Sequence, residues 1–230
     1  HGKINGYGAE SDRVAYDLIL QAESGFMSMN GTPESGPVKM PVALIDILAA
    51  HHLKEGILLA LYNREKTGEG KSISVSLYDA ALSSLSNQAS NYLMAGKVAQ
   101  RIGSLHPNIA PYGEIFETKD GALITFVIGS DTHFEKLCTE LGLTELPQKE
   151  ENSCNQHRVI NRTALAALIG EKVKLIDSKT LLVNFEKLLV PVGKIKSLDE
   201  VFDAKTAQDL IRTETIQGVN TKRVTSVVFK

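Results

Sequence analysis

The sequence predicts an α/β protein built from two units, and three observations predict it. The stretch from Pro41 to Tyr62 reads as one long apolar helix, opened near Pro41 and closed by Gly68-Glu69-Gly70. Around it the order is helix, strand, helix, which is the order of an α/β layer. After a break at residues 96–111 the pattern changes to a strand hairpin followed by helices, an α+β arrangement. The expected units are residues 1–96 and 112–203, joined by a linker at 97–111. Residues 204–230 are read as a segment returning toward the first unit.

Taken in order, Lys3-Ile4 is the tail of a strand running into a Gly-rich turn. Asp12 to Ala22 reads as an amphipathic helix, with Val14, Leu18 and Ile19 apolar and Asp12 as its cap. Ser24 to Pro41 is rich in Gly, Pro, Ser and Thr and reads as a loop. Ser72 to Leu77 alternates polar and apolar, as a half-buried strand does, and Ser76-Leu77-Tyr78-Asp79 matches a capping box opening a helix to about Ala95. Tyr112–Thr118 and Ala122–Ile128 are strands joined at Lys119-Asp120-Gly121. Ser130-Asp131 opens a helix, Thr144–Asn155 is polar loop, and helical pattern resumes over His157–Ile176 and Thr180–Leu189. Val190-Pro191-Val192-Gly193 is a break, Ser197-Leu198-Asp199-Glu200 is a second capping box, and Val224–Phe229 is a short closing strand.

Asp46 is the one acidic residue in the first turns of the apolar helix. At about 100° per residue it shares a face with Ala49, Ala50, Leu53 and Ile57, while His51 and Glu55 lie about 140° and 180° away. The helix is expected to be buried, and a buried carboxylate needs a reason. One reading makes Asp46 a cap for orphan N–H groups. The other makes it a nucleophile, with room beside Ala49 and Ala50 and a helix N-terminus to keep it ionised. The residues leave both open.

The chain has 230 residues and a net charge of −2, from 25 basic and 27 acidic side chains without a block of either sign. That argues against a nucleic-acid or anionic-membrane surface. The only membrane-length apolar window, Val42–Leu61, carries Asp46, His51, His52, Lys54 and Glu55, too many ionisable groups for a bilayer core. No signal peptide is read at the start, and Cys138 and Cys154 lack metal-site spacing, so a reducing cytoplasm is expected. The opening residues lack a methionine, as in a processed chain or a fragment. Gly6-Tyr7-Gly8 reads as a tight turn, and the adjacent His51 and His52 face apart. His106-Pro107-Asn108 lies in the linker, and Tyr16-Asp17 is either surface or a polar lining near a ligand. Ser83–Ser90 has no nucleophile-elbow pattern.

Several motifs together resemble one family. They are Asn5-Gly6-Tyr7-Gly8, Tyr16-Asp17-x-x-x-Gln21-Ala22-x-Ser24-Gly25, Val42-Ala43-Leu44-Ile45-Asp46, Gly56-Ile57-Leu58-x-Ala60-Leu61 and Lys66-Thr67-Gly68-x-Gly70. Ser74-Val75-Ser76-Leu77-x-Asp79-Ala80, Gly103-x-x-His106-Pro107-x-x-x-Pro111-Tyr112 and Val190-Pro191-Val192-Gly193 complete the set. In this order they resemble the class III CoA-transferases of CaiB/BaiF type, which include formyl-CoA and succinyl-CoA-dependent transferases and the related α-methylacyl-CoA racemases.

The resemblance implies part of a Rossmann-like large domain followed by a smaller α+β domain, in a homodimer whose subunits interlock. It implies a coenzyme A thioester and a small carboxylic acid as substrates and no prosthetic group. Asp46 falls at the family's catalytic aspartate, and Val14, Ala15, Tyr16 and Asp17 fall where the family contacts CoA. The family's portion before His1 is absent and its close after Phe229 is short, so the resemblance implies a truncated chain. The racemase branch's histidine would fall at Tyr16, and tyrosine there speaks for transfer. The formyl-CoA branch's glycine-rich loop is not visible, and a succinyl-CoA-type donor is preferred. Arg101 is a candidate carboxylate partner by charge alone. Two rivals remain: racemase-like proton transfer, and a non-catalytic fragment acting in assembly.

Overall fold

The computed structural model describes residues 1–8, 11–226 and 228 and divides the chain into two compact units, His1–Gly103 and Ser104–Lys230. The division falls between residues 103 and 104, inside the stretch read as a linker.

The first unit is a mixed α/β assembly. Strand β1 (Gly2–Asn5) is followed by α1 (Asp17–Glu23), α2 (Phe26–Met29) and the long α3 (Leu44–Thr67). Then come β2 (Ile73–Ser76), α4 (Leu77–Ser83) and α5 (Ser86–Ala95). β1 and β2 pair in parallel, Gly2 opposite Ile73 and Asn5 opposite Ser76. α3 crosses this ribbon at Gly56, where a β-carbon would stand 2.6 Å from Cγ2 of Ile73. Glycine is what lets the helix lie directly on the strand. A small core of Leu20, Ile45 and Ala81 joins α1, α3 and α4.

Three expectations are corrected here. The first helix begins at Asp17, not Asp12; residues 11–16 hold no regular structure and Tyr16 is extended. Arg13 in that run bonds Glu23 at the far end of α1 and lies over the Tyr7 ring at 4.5 Å, tertiary contacts that a helix from Asp12 would forgo. The expected single helix to Ala95 breaks after Ser83. There the Ser83 and Ser84 hydroxyls donate back to the Ala80 carbonyl at 3.0 and 2.8 Å, competing with the ladder, and Ser86 takes a positive φ of 50°. Finally, α3 ends on Gly68 as read, with φ of 76°, but it is not buried. Only Ile45 and Ala49 are enclosed, and Ile47, Leu58, Leu59 and Tyr62 stand in solvent. Its apolar residues run all round the helix, while α1, α4, β1 and β2 cover one side.

The second unit opens with β3 (Tyr112–Glu117) and β4 (Leu123–Val127), an antiparallel pair turning at Lys119-Asp120-Gly121 as read. Helices α6 (Asp131–Glu140), α7 (Asn155–Ile160), α8 (Arg162–Val173) and α9 (Ser178–Lys187) follow. Ser130 caps α6 by accepting from His133 N–H at 3.2 Å. Phe116, Phe126 and Phe185 stack through the core, with Phe126 edge-on to Phe185 at 5.0 Å. The break read at 190–193 is instead a third strand, β5 (Val192–Lys194), antiparallel to β4. Pro191 stands just before it, where a missing N–H breaks no ladder bond. The long helix read over 157–176 is cut at Asn161, whose amide donates to the carbonyls of His157 and Glu151. The loop read over 144–155 holds two short 3-10 turns at 146–148 and 150–152.

Ser197 and Glu200 form the expected capping box at α10 (Leu198–Phe202), ahead of α11 (Lys205–Gln208). β6 (Ile211–Ile216) and β7 (Val219–Val224) then make a hairpin about Gln217-Gly218, both at positive φ. The closing strand read over Val224–Phe229 is thus shifted earlier, to end at Val224; Val227 and Phe229 lie outside the described residues. No helix among the described residues is long and apolar enough to cross a membrane.

Candidate active site

Helix α3 starts without a cap of its own. Its N-cap is Ala43, which has no side chain to accept a bond, so the first-turn N–H groups need partners from elsewhere. Leu44 N–H turns back to the Val42 carbonyl at 2.8 Å. Ile45 N–H donates to Oδ1 of Asp17, on α1, at 2.8 Å. The capping reading of Asp46 is therefore corrected, because the carboxylate that serves this helix end is Asp17.

Asp46 sits at the third helical position, one residue beyond the amide that Asp17 holds. It is exposed rather than buried among apolar neighbours, and its carboxylate accepts no hydrogen bond and forms no ion pair with a described residue. Two effects oppose the helix end's pull toward the ionised form. Partial shielding of the carboxylate from water, helped by the charge of Asp17, pushes its pKa up from the ordinary carboxylate value. The result is an open carboxylate whose lone pairs are uncommitted.

Gln21 completes the arrangement. It is wholly enclosed, and its side chain makes three bonds. Nε2 donates to Oδ2 of Asp17 at 2.7 Å and to the Val42 carbonyl at 3.4 Å, while Oε1 accepts from Met40 N–H at 2.8 Å. Asp17 and Gln21 stand four residues apart on one face of α1 and together tie it to the chain entering α3. In the sequence Gln21 stands out only as a motif residue. The Asp–Gln spacing of four, which puts both side chains on one helix face, was the available signal.

The other residues read as candidates are distributed as follows. Val14 and Tyr16 are 73% and 72% exposed, and Ala15 and Asp17 are half-buried. Ala15 passes so close to Gly6 that a β-carbon on Gly6 would come within 2.4 Å of the Ala15 methyl carbon. Tyr7 donates to Glu23, the carboxylate that also takes Arg13. Arg101 donates to the Ser28 carbonyl at 3.0 Å. His51 lies 3.1 Å from Lys54 Nζ, and His52 lies 3.5 Å from the Ser83 hydroxyl. No cluster of three metal-ligating side chains occurs among the described residues.

In the second unit the His106-Pro107 stretch is a latched loop. Arg162 donates to the carbonyls of His106 and Ile109 at 2.8 and 2.7 Å, and Asn155 to that of Asn108 at 2.8 Å. Arg158 takes the Ala110 carbonyl at 3.1 Å, and His106 stacks on Tyr112 at 4.7 Å. Four successive-turn carbonyls with no ladder partner are thereby satisfied.

A model of the family described as CoA-transferase family III matches residues 1–229. The chain belongs to this family. Among its CoA-transferase relatives, the succinate–glutarate CoA-transferase of Agrobacterium fabrum is 36% identical over 202 residues, 86% of this chain and 50% of that protein. Human succinyl-CoA:glutarate CoA-transferase is 34% identical over 202 residues, 86% of this chain and 46% of that protein. The chain thus spans about half the length of these curated relatives. The crystal structure of a CAIB/BAIF family protein from Brucella suis, 36% identical, superposes with a TM-score of 0.77 over 99% of this chain and 60% of that one. Rv3272 of Mycobacterium tuberculosis shares the fold at 22% identity, with a TM-score of 0.83 over 100% of this chain and 62% of that one.

Proposed function

We propose that this chain carries the nucleophile of a CoA-transferase that moves CoA from an acyl-CoA, of succinyl-CoA type, to a small carboxylic acid. The observation that carries the reading is the state of Asp46: open to solvent, free of hydrogen-bond partners, in the first turn of a helix whose capping duty another carboxylate performs. Family membership and the dicarboxylate names of the relatives support the substrate class.

The chemistry follows from the carboxylate. Ionised Asp46 attacks the thioester carbonyl, the C–S bond breaks, and a mixed anhydride and CoA thiolate result. The thiolate attacks the Asp46 carbonyl of the anhydride, releasing the donor acid and leaving CoA as a thioester on Asp46. The acceptor carboxylate attacks that thioester and expels CoA thiolate, which then attacks the acceptor's side of the new anhydride. The products are the acceptor's CoA thioester and free Asp46. A hydroxyl nucleophile would fall to an oxygen ester and lose the activation, whereas a carboxylate keeps it at every step. In this reading the dipole at the start of α3 offsets charge developing on the carbonyl oxygen, the Leu44 and Ile45 amides being already taken by Val42 and Asp17.

In this reading Val14–Asp17, of which Val14 and Tyr16 are exposed, form part of the CoA contact, the first unit belongs to a Rossmann-like large domain, and the enzyme works as an interlocked homodimer in a reducing cytoplasm. Cys138 and Cys154 are free thiols. The test mixes the full natural chain with an acyl-CoA, traps with hydroxylamine or borohydride, and maps the product by mass spectrometry. A modification on the peptide holding Asp46 is expected. Modification elsewhere, or none on a folded chain, overturns the reading.

A further inference from the structure

We infer that Gln21 is the positioning residue that sets where the Asp46 carboxylate stands, acting through Asp17 and the chain at Met40–Val42; this rests on the reading of Asp46 as nucleophile. Gln21 is a fully enclosed amide that spends all its bonds on one task. Its Oε1 holds Met40 N–H, one Nε2 bond takes the Val42 carbonyl, and the other orients Asp17. The oriented Asp17 then holds Ile45 N–H, directly before Asp46. The entry to α3 is therefore fixed at three backbone points, residues 40, 42 and 45, by one side chain and its partner.

The need for such a device follows from the sequence at the helix start. Ala43 cannot cap, and Pro41 withholds an N–H, so no neighbouring side chain closes the start of α3. A helix end with no local cap frays, and fraying here would swing Asp46. Gln21 substitutes a tertiary clip for the absent cap. The electrostatic consequence agrees: the clip keeps the Asp17 carboxylate close enough for its charge to act on Asp46.

The test compares Gln21→Met and Asp17→Asn with the parent in the full natural chain. Met keeps the volume and removes all three bonds. Gln21→Met is expected to lower kcat by roughly ten- to a hundredfold, the scale of a nucleophile misplaced by about 1 Å, with KM for acyl-CoA changed by less than about twofold. Amide hydrogen exchange of Ile45–Ile47 should accelerate while that of the second unit stays constant. Asp17→Asn keeps an acceptor for Ile45 and removes the charge, so the acid limb of the pH–rate profile should move to lower pH. That readout covers the case in which Gln21→Met fails to fold. Unchanged kcat in folded Gln21→Met, or an unmoved acid limb in Asp17→Asn, overturns the inference. Asp46→Ala run in parallel separates the two claims. If it retains transfer, the nucleophile reading has failed; if it is inactive while the clip variants match the parent, only the clip has failed.

Discussion

Arg158 offers the sharpest quantitative expectation. Its side chain is 1% exposed, and its guanidinium donates to the Ala110 carbonyl at 3.1 Å, the Asn152 carbonyl at 3.1 Å and Asp131 at 2.6 Å. It also lies 4.6 Å over the Phe134 ring. Arg158→Met keeps most of the volume and removes every polar contact. Ala110 and Asn152 are themselves enclosed, so each carbonyl left without a donor costs about 1–3 kcal/mol. The lost ring contact adds about 0.5–2 kcal/mol. The Asp131 bond adds little, because that carboxylate is 64% exposed. Relief of the guanidinium's own desolvation works the other way. The net loss is about 3 kcal/mol, a large share of the roughly 5–15 kcal/mol that stabilises an ordinary domain. Urea unfolding followed by far-ultraviolet circular dichroism measures it, and the loop at 106–111 should lose amide protection first. A loss below about 1 kcal/mol would show that the latch is ornamental and that the desolvation relief cancels its bonds.

Four further outcomes are expected. Asp46→Asn should abolish transfer with the fold intact. Because the Asp46 pKa is raised in the folded state, its ionisation opposes folding; the Asn variant should match the parent in acid and be the more stable above the raised pKa, as thermal melts across pH would show. As pH is lowered the parent's transfer rate should fall with a midpoint above the ordinary carboxylate value, since only ionised Asp46 attacks, and a pH–rate profile reads this directly. Asp120 behaves oppositely: bonds from Thr118 and Ser178 depress its pKa, so its stabilisation is complete above the ordinary value and is lost as pH falls through the depressed one. Asp120→Asn should flatten that acid dependence in pH-dependent unfolding. Ser197→Ala should cost about 0.5–2 kcal/mol by removing the capping box of α10, measured by chemical denaturation.

Local chemistry was enough for many elements. Gly68 after a helical run, Lys119-Asp120-Gly121 between alternating strands, Ser130 before Asp131 and Ser197 with Glu200 each act within a few residues, so spacing alone locates them. The hairpin about Gln217-Gly218 was missed because its strands, Ile-Arg-Thr-Glu-Thr-Ile and Val-Asn-Thr-Lys-Arg-Val, bury little and alternate weakly. The strand at Val192 was missed because three residues show no period at all.

By itself the sequence determined the family and the presence of an acid near the start of an apolar helix. Motif order and short-range capping are properties of consecutive residues, and they survive without coordinates. Only the tertiary structure decided what surrounds that acid. The cap of α3 comes from Asp17, 28 residues before the amide it holds, and is oriented by Gln21. A bond between residues so far apart exists only after the chain has folded, and the freedom of Asp46 depends on it.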